Sequence, residues 1–122
     1  MSYILLIHEP KGQREIATAA EGALRYQRMT DFGKGLTARG LLRASESLQS
    51  DTGGTRISKR EGQHRLVDGP FAEAKEMVGG FFLLEGVTRD EAIEIAKHCP
   101  AAEWATVEVR AIAPCFVEST KV

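Results

Sequence analysis

Residues 68 to 80 read Asp-Gly-Pro-Phe-Ala-Glu-Ala-Lys-Glu-Met-Val-Gly-Gly and run directly into the apolar stretch Phe81-Phe82-Leu83-Leu84. The segment joins a turn signal, a run of charges and a glycine pair to a strand. Proline holds its own φ at about −65° and glycine tolerates φ values that other residues avoid, so the backbone beside Asp68 should be held in place. The glycine pair at 79 and 80 is typical of a β-bulge or of close backbone approach.

The chain before Gly40 contains one strand and then helical sequence. Tyr3-Ile4-Leu5-Leu6-Ile7 is an apolar run typical of a strand buried on both faces, and it stops at Pro10. The helical sequence from Gln13 to Arg39 carries two apolar sets on nearly opposite faces: Ile16, Ala20 and Ala23, and Met29, Phe32 and Leu36. We therefore expect a short helix, a break near Gly22, and a main helix of about four turns that buries the second set and stops at Gly40.

A second strand and a polar hairpin are predicted in the middle of the chain. Leu41 to Leu48 alternates, and this alternation places Glu46 on the same face as Leu42, Ala44 and Leu48. Two short polar strands, Thr55 to Arg60 and Gln63 to Val67, flank Glu61-Gly62 and predict a hairpin. We interpret this hairpin as an insertion into a simpler order of strands and helices.

The last third of the chain predicts a strand, a helix and a strand. Gly80 to Val87 is the apolar strand, and Thr88-Arg89-Asp90-Glu91 matches a helix-capping box. The helix that follows must end by Pro100, and Trp104 to Ile112 alternates as the final strand. Four residues of the helix are expected to face the core: Ala92, Ile95, Ala96 and Cys99.

Without the hairpin, the order of elements is βαββαβ. This order predicts an α+β fold of the ferredoxin-like type, an antiparallel sheet with both helices on one face, forming a single domain over residues 1–122. The strands at Tyr3 to Ile7 and Phe81 to Leu84 are apolar on both faces, so the face without helices should also be covered. We expect a homodimer that packs sheet against sheet.

Composition excludes several classes of partner. The 122 residues include 16 basic and 17 acidic side chains, a balance that favours neither nucleic acid nor an anionic membrane as a partner. The apolar runs are far shorter than the roughly 20 residues that span a bilayer. Cys99 and Cys115 are far apart and unpaired by motif, so we expect a cytoplasmic protein with reduced thiols.

The sequence predicts neither a metal site nor a bound cofactor. The three histidines lack the i, i+4 spacing of zinc sites, and the carboxylates lack the pattern of a calcium-binding loop. The Gly-Gly pairs at 53 and 79 match neither a phosphate-binding loop nor a dinucleotide fingerprint.

Asp68 and His8 are the predicted catalytic residues. In an apolar cleft, desolvation would move the pKa of a carboxyl group such as that of Asp68 toward neutrality, where it could transfer protons. The alternative is a plain turn in which the Asp68 carboxylate accepts a backbone N–H. His8 lies at a strand end and has the side chain best suited to proton transfer near pH 7, although a structural histidine is the alternative.

Four further residues are predicted to bind a ligand. Glu46 is a carboxylate on an apolar strand face, which requires a partner or a cleft. The alternative is a different strand register, which would place Glu46 on the other face. Lys75 could bind a carboxylate-bearing ligand, and its alternative is a solvated charge run. The aromatic residues Phe71 and Phe81, at the turn and at the strand, complete the set.

Several segments resemble those of a known family, and they occur in order along nearly the whole chain. They are the Tyr3 to Ile7 start, Glu46-Ser-Leu-Gln, Asp68-Gly-Pro-Phe-Ala-Glu, Lys75-Glu, Gly79-Gly-Phe-Phe-Leu-Leu-Glu, Cys99-Pro-Ala-Ala and Val107-Glu-Val-Arg. Together they resemble the DGPF branch of the YCII-related proteins. The resemblance implies a dimeric α/β barrel of ferredoxin-like subunits. It also implies a likeness to small barrel enzymes that act on aromatic or lactone compounds, and bacterial relatives often occur beside extracytoplasmic-function sigma factors.

Three functional hypotheses follow. The first is a cofactor-independent enzyme that uses Asp68 and His8 for proton transfer on a small aromatic or lactone-like compound. The second is a non-catalytic protein that binds a small molecule or regulates a sigma factor. The third is a structural dimer module. The convergence of His8, Glu46 and Asp68 on one cavity would favour the first.

Overall fold

The apolar runs of the sequence form one four-stranded antiparallel sheet in the computed structural model, which describes residues 1–116. The strands lie in the order β2-β5-β1-β6, and β3 and β4 form a separate hairpin. This is the ferredoxin-like arrangement with an inserted hairpin, as the sequence predicts. The strands are β1 Ser2–Pro10, β2 Leu42–Ser47, β3 Thr55–Arg60, β4 Gln63–Asp68, β5 Glu76–Glu85 and β6 Thr106–Ala111, and the helices are α1 Gln13–Ile16, α2 Ala19–Ala38 and α3 Arg89–Lys97.

The core lies between the sheet and the helices α2 and α3. Burial alternates along β1, so that Tyr3, Leu5 and Ile7 are buried while the residues between them are half-buried on the opposite face. The predicted set from α2, Met29, Phe32 and Leu36, packs against this core, as do the predicted residues of α3. The inner face of the sheet is therefore covered by helices, and its outer face is open in the single chain.

The helix break lies at Ala17 and Thr18, so the prediction of a break near Gly22 is wrong. Thr18 caps α2: its side chain accepts the backbone N–H of Glu21, and the Glu21 side chain accepts the backbone N–H of Thr18. This capping box starts the helix early, and α2 runs for 20 residues rather than about four turns. Ile16, from the first apolar set, is left 85 % exposed.

The alternation of β2 predicts Glu46 on the same face as Leu42, and this prediction is wrong. An irregularity between Leu42 and Ala44 shifts the register in which β2 pairs with β5. Glu46 therefore pairs with Phe81 on the outer face of the sheet, where it is exposed. Ser45 takes the inner-face position instead.

The predicted bulge at the glycine pair is confirmed. Ile7 pairs with Gly80 and His8 pairs with Val78, so Gly79 is an extra residue in β5. Both glycines are buried, and a side chain at Gly80 would come within 2.8 Å of the backbone oxygen of Glu46. At the bulge, β5 lies between β1 and β2, and Gly80 pairs with Ile7 on one side and Ser47 on the other.

The helix α3 follows its prediction closely. Thr88 and Glu91 form the expected capping box, and α3 ends before Pro100. Cys99 is 2 % exposed, and burial raises the pKa of its thiol. Cys99 is thus a core residue, while Cys115 lies exposed near the end of the described residues.

The turn at residues 68–71 is held by backbone contact. The Gly69 N–H donates to the carbonyl oxygen of Gly54 over 2.8 Å, and a Cβ atom at Gly69 would overlap the carbonyl oxygen of Asp51. The φ of Gly69 is not positive, so close approach rather than an unusual φ requires glycine here. The Gly69–Pro70 peptide bond is cis.

A lysine ties this turn to the end of β1. The Lys11 ammonium donates to Asp51 Oδ2 over 2.6 Å and to the carbonyl oxygen of Phe71 over 3.1 Å. The hydrogen bond from Lys11 lowers the pKa of Asp51, and the backbone of Phe71 adds to this effect. Phe71 itself is 8 % exposed, and the Arg56 guanidinium lies 3.8 Å from the centre of its ring.

We expect Gly69→Ala to lower the free energy of unfolding by about 1–3 kcal/mol, because the added methyl group must displace the Asp51 backbone. The matched control is Gly35→Ala in α2, where a Cβ atom meets nothing within 4 Å. That substitution should stabilise the protein by about 0.5–1 kcal/mol, since alanine has the higher helix propensity. Urea unfolding measures both, and equal effects of the two variants would contradict this account of Gly69.

Candidate functional site

A cavity of about 810 Å³ lies between α2 and the inner face of the sheet, toward the C-terminal end of β1. Its walls come from α1, α2, β2 and the bulge of β5. Apolar residues form much of the lining, with a few hydroxyl groups and charges among them. The lining includes Ile7, Glu9, Arg14, Arg25, Tyr26, Met29, Gly33, Lys34, Leu42, Ser45, Glu46, Gly79, Phe81, Phe82 and Trp104.

An ion pair stands in this cavity. Glu9 continues the inner-face alternation of β1 and is only 9 % exposed. Arg14 meets its carboxylate with two hydrogen bonds, from Nε to Oε1 over 2.8 Å and from Nη2 to Oε2 over 2.7 Å. Arg14 Nη1 also donates to the carbonyl oxygen of Leu48 over 2.8 Å. The hydrogen bond to Glu9 raises the pKa of Arg14 further above its ordinary value.

The bulge of β5 provides the space for this pair. A Cβ atom at Gly79 would overlap the Glu9 carboxylate and lie 3.0 Å from Nη2 of Arg14. Because the two side chains occupy the volume beside Gly79, any other residue there requires Glu9 and Arg14 to move. Gly79 thus forms the bulge of β5 and also leaves room for the ion pair in the cavity.

The other end of the cavity is marked by Trp104. The guanidinium groups of Arg25 and Arg28 each lie 5.3 Å from the centre of its ring. Arg28 is bound to Glu103 by two hydrogen bonds, of 3.2 and 2.6 Å. Arg25 lines the cavity and is half-buried. The side chain of Gln13 donates to the carbonyl oxygen of Trp104 over 2.6 Å, which fixes the start of β6 against α1.

His8 lies elsewhere, on the outer face of the sheet. Its Nε2 is 2.7 Å from Oε1 of Glu108, whose other oxygen accepts a hydrogen bond from Arg110. Arg110 and then His8 lower the pKa of Glu108. His8 also lines a smaller cavity of about 400 Å³, together with Arg56 and Phe71.

Asp68 lies at the end of the hairpin and lines neither of these cavities. It is exposed, and Oδ1 accepts a hydrogen bond from the hydroxyl group of its cross-strand partner Thr55 over 2.8 Å. The structure therefore does not bring the predicted pair, Asp68 and His8, together in one cavity.

The predicted ligand-binding residues do not lie at one site. Glu46 and Phe81 line the large cavity, and Phe71 lines the small one. Lys75 is exposed, and its carbonyl oxygen accepts the backbone N–H of Lys11 over 3.0 Å. Of the six predicted site residues, two border the large cavity, and strand pairing places the side chains of both on the outer face of the sheet.

Sequence reasoning missed Glu9, Arg14 and Trp104. A signal for Glu9 existed, because it follows Tyr3, Leu5 and Ile7 at spacing two and so shares their buried face. A carboxylate at such a position requires a cation, and Arg14 is near in sequence. Trp104 had no comparable signal, since its place depends on how the turn at Pro100–Glu103 packs against α2.

Two negative findings apply to residues 1–116. No group of three or more His, Cys, Asp or Glu side chains in this range is arranged to hold a metal ion. No helix within it is long and apolar enough to cross a membrane.

The fold and the cavity define a ferredoxin-like α+β domain with a ligand-sized cleft between its sheet and its long helix. Residues 1–115 match the model of the YCII-related domain, and the chain belongs to this family. It is also similar to an uncharacterized protein of Rhizobium meliloti (strain 1021), with 41 % identity over 54 residues. That match covers 43 % of this chain and 44 % of the relative, so the chain spans less than half of the relative's length.

We expect Arg14→Gln to lower the free energy of unfolding by about 1–2 kcal/mol. The substitution leaves the Glu9 carboxylate buried without its cation, which costs about 3–5 kcal/mol in fully buried pairs. The effect should be smaller here because 35 % of the Arg14 side chain is open to solvent.

The matched control is Arg28→Gln, which removes the pair with Glu103 on the surface and should leave stability near that of the wild type. Urea unfolding at neutral pH measures both variants. A smaller loss for Arg14→Gln than for Arg28→Gln would contradict the role given to the buried pair.

Proposed function

We propose that this protein binds a small, largely apolar organic molecule in the cavity between α2 and the sheet. The observation that carries the proposal is the cavity itself, whose volume of about 810 Å³ lies within the range of ligand sites. Its lining combines aromatic and aliphatic side chains with a few fixed polar groups, which is typical of such sites. The ion pair of Glu9 and Arg14 gives one wall a fixed geometry.

Binding is better supported than the proton transfer predicted from Asp68 and His8. A general acid or base must reach its substrate, and the structure separates these two residues from the large cavity. Glu9 is inside the cavity, but both of its oxygens accept hydrogen bonds from Arg14. A carboxylate engaged in this way is a poor base.

A cofactor-independent enzyme has less support. Glu46 borders the cavity, but strand pairing places its side chain on the outer face of the sheet, away from a ligand between α2 and the inner face. A general base must reach the proton that it removes. A regulatory role beside a sigma factor rests on the family resemblance alone.

We expect Ser45→Phe to abolish binding of a neutral bicyclic probe, 2-naphthamide, because the new ring occupies the cavity from the inner face of β2. Ser45→Ala leaves the space open and should bind the probe as the wild type does. Calorimetric titration gives the affinity, and the indole N–H signal of Trp104, the one tryptophan of the chain, reports the site by NMR. Unchanged binding in Ser45→Phe would place the probe elsewhere, and no binding to the wild type would contradict the proposal.

We further propose that the outer face of the sheet binds a second copy of this chain. Four large apolar side chains stand on this face between its charged groups: Ile4, Leu6, Phe81 and Leu83. The charged residues around them have both signs: Glu46 and Glu108 are acidic, and Arg110 is basic. A face of this composition can match itself across a two-fold axis.

We expect Leu83→Lys to convert a dimer into a monomer, since it places a charge in the middle of the proposed interface. The control is Leu24→Lys on α2, where the leucine is already 62 % exposed. Light scattering coupled to size-exclusion chromatography measures the mass of each variant, and circular dichroism checks the fold. A monomeric wild type, or a dimeric Leu83→Lys variant, would disprove the proposed interface.

A further inference from the structure

We infer that the ligand of the large cavity carries a carboxylate group and that Arg25 binds it. This inference rests on the proposed binding function and names the ligand class.

Five charged residues line the cavity, and two of them neutralise each other. Arg14 directs Nε and Nη2 to the Glu9 carboxylate and Nη1 to the Leu48 carbonyl oxygen, so all three of its nitrogens are engaged. A ligand anion beside Arg14 would have to compete with the Glu9 carboxylate, which is buried there. The remaining lining charges are Arg25, Lys34 and Glu46.

Arg25 differs from the other two in being held in place. Its guanidinium lies 5.3 Å from the centre of the Trp104 ring, and the residue is half-buried, whereas Lys34 and Glu46 are exposed. Within residues 1–116 no carboxylate lies close enough to Arg25 to form an ion pair. Arg28 contacts the same ring, but its guanidinium is already bound to Glu103.

An arginine held near an aromatic ring has a specific preference. Its planar fork matches the two oxygens of a carboxylate, and contact with the ring reduces the freedom that binding must remove. The apolar lining next to it suits the hydrocarbon body of the ligand. Glu46 would repel an anion only weakly, because strand pairing places it on the outer face of the sheet while Arg25 projects from α2.

The test compares 2-naphthoate with 2-naphthamide, which have the same ring system but differ in charge. Calorimetric titrations use the wild type, Arg25→Gln and the matched control Arg28→Gln. We expect the wild type to bind the carboxylate at least about tenfold more tightly than the amide. Arg25→Gln should lose this preference and keep its affinity for the amide, and Arg28→Gln should keep the preference.

The outcomes separate this inference from the proposed function. If the wild type binds both probes equally in the cavity, the carboxylate inference is wrong and the binding function stands. If neither probe binds, the proposed function fails as well. An equal loss of preference in both variants would show a general field effect and overturn the assignment to Arg25. Arg25→Lys, which keeps the charge but not the fork, should retain only part of the preference, and thermal unfolding checks that each variant folds.

Discussion

The ion pair between Glu9 and Arg14 is the interaction on which the rest of the site depends. Glu9 occupies a position that the alternation of β1 otherwise fills with apolar side chains. A buried carboxylate is tolerated only when a cation and hydrogen bonds satisfy it, and Arg14 supplies both. The pair joins α1 to the end of β1, and both of its side chains lie beside Gly79 in β5.

The large cavity follows from this arrangement. The bulge at Gly79 leaves room for the pair, and the capping box at Thr18 starts α2 at once after α1. The long helix then leaves an opening over the ends of the strands instead of packing on them fully. Strand pairing and side-chain electrostatics together produce a cleft whose fixed groups are already positioned before any ligand enters.

Most of the fold could be predicted from the sequence because its signals are local. The apolar runs at Tyr3 to Ile7 and Phe81 to Leu84, the capping box at Thr88 and the glycine pair each act within a few residues. The errors came from competing local effects. The Thr18 cap outweighed Gly22 as the helix boundary, and one irregularity in β2 moved Glu46 to the other face, because side chains on a strand alternate with a period of two.

The site was harder to predict because it depends on contacts between distant parts of the chain. Asp68 stands beside an informative turn, yet its carboxylate bonds to Thr55 across the hairpin. The turn is rigid because the backbone of Asp51 and the side chain of Lys11 pack against it, which is a structural reason for its residues. Trp104 and Arg25 meet only when the turn at Pro100–Glu103 packs against α2.

Gly79 has a consequence for how this sequence can change over evolutionary time. Any side chain at position 79 collides with Glu9, and removing Glu9 first leaves Arg14 without its anion. A substitution at one of these three positions changes the surroundings of the other two, so their effects on stability should not be additive. Relatives that carry another residue at position 79 are expected to differ at positions 9 and 14 as well, and with them in the shape of the cleft.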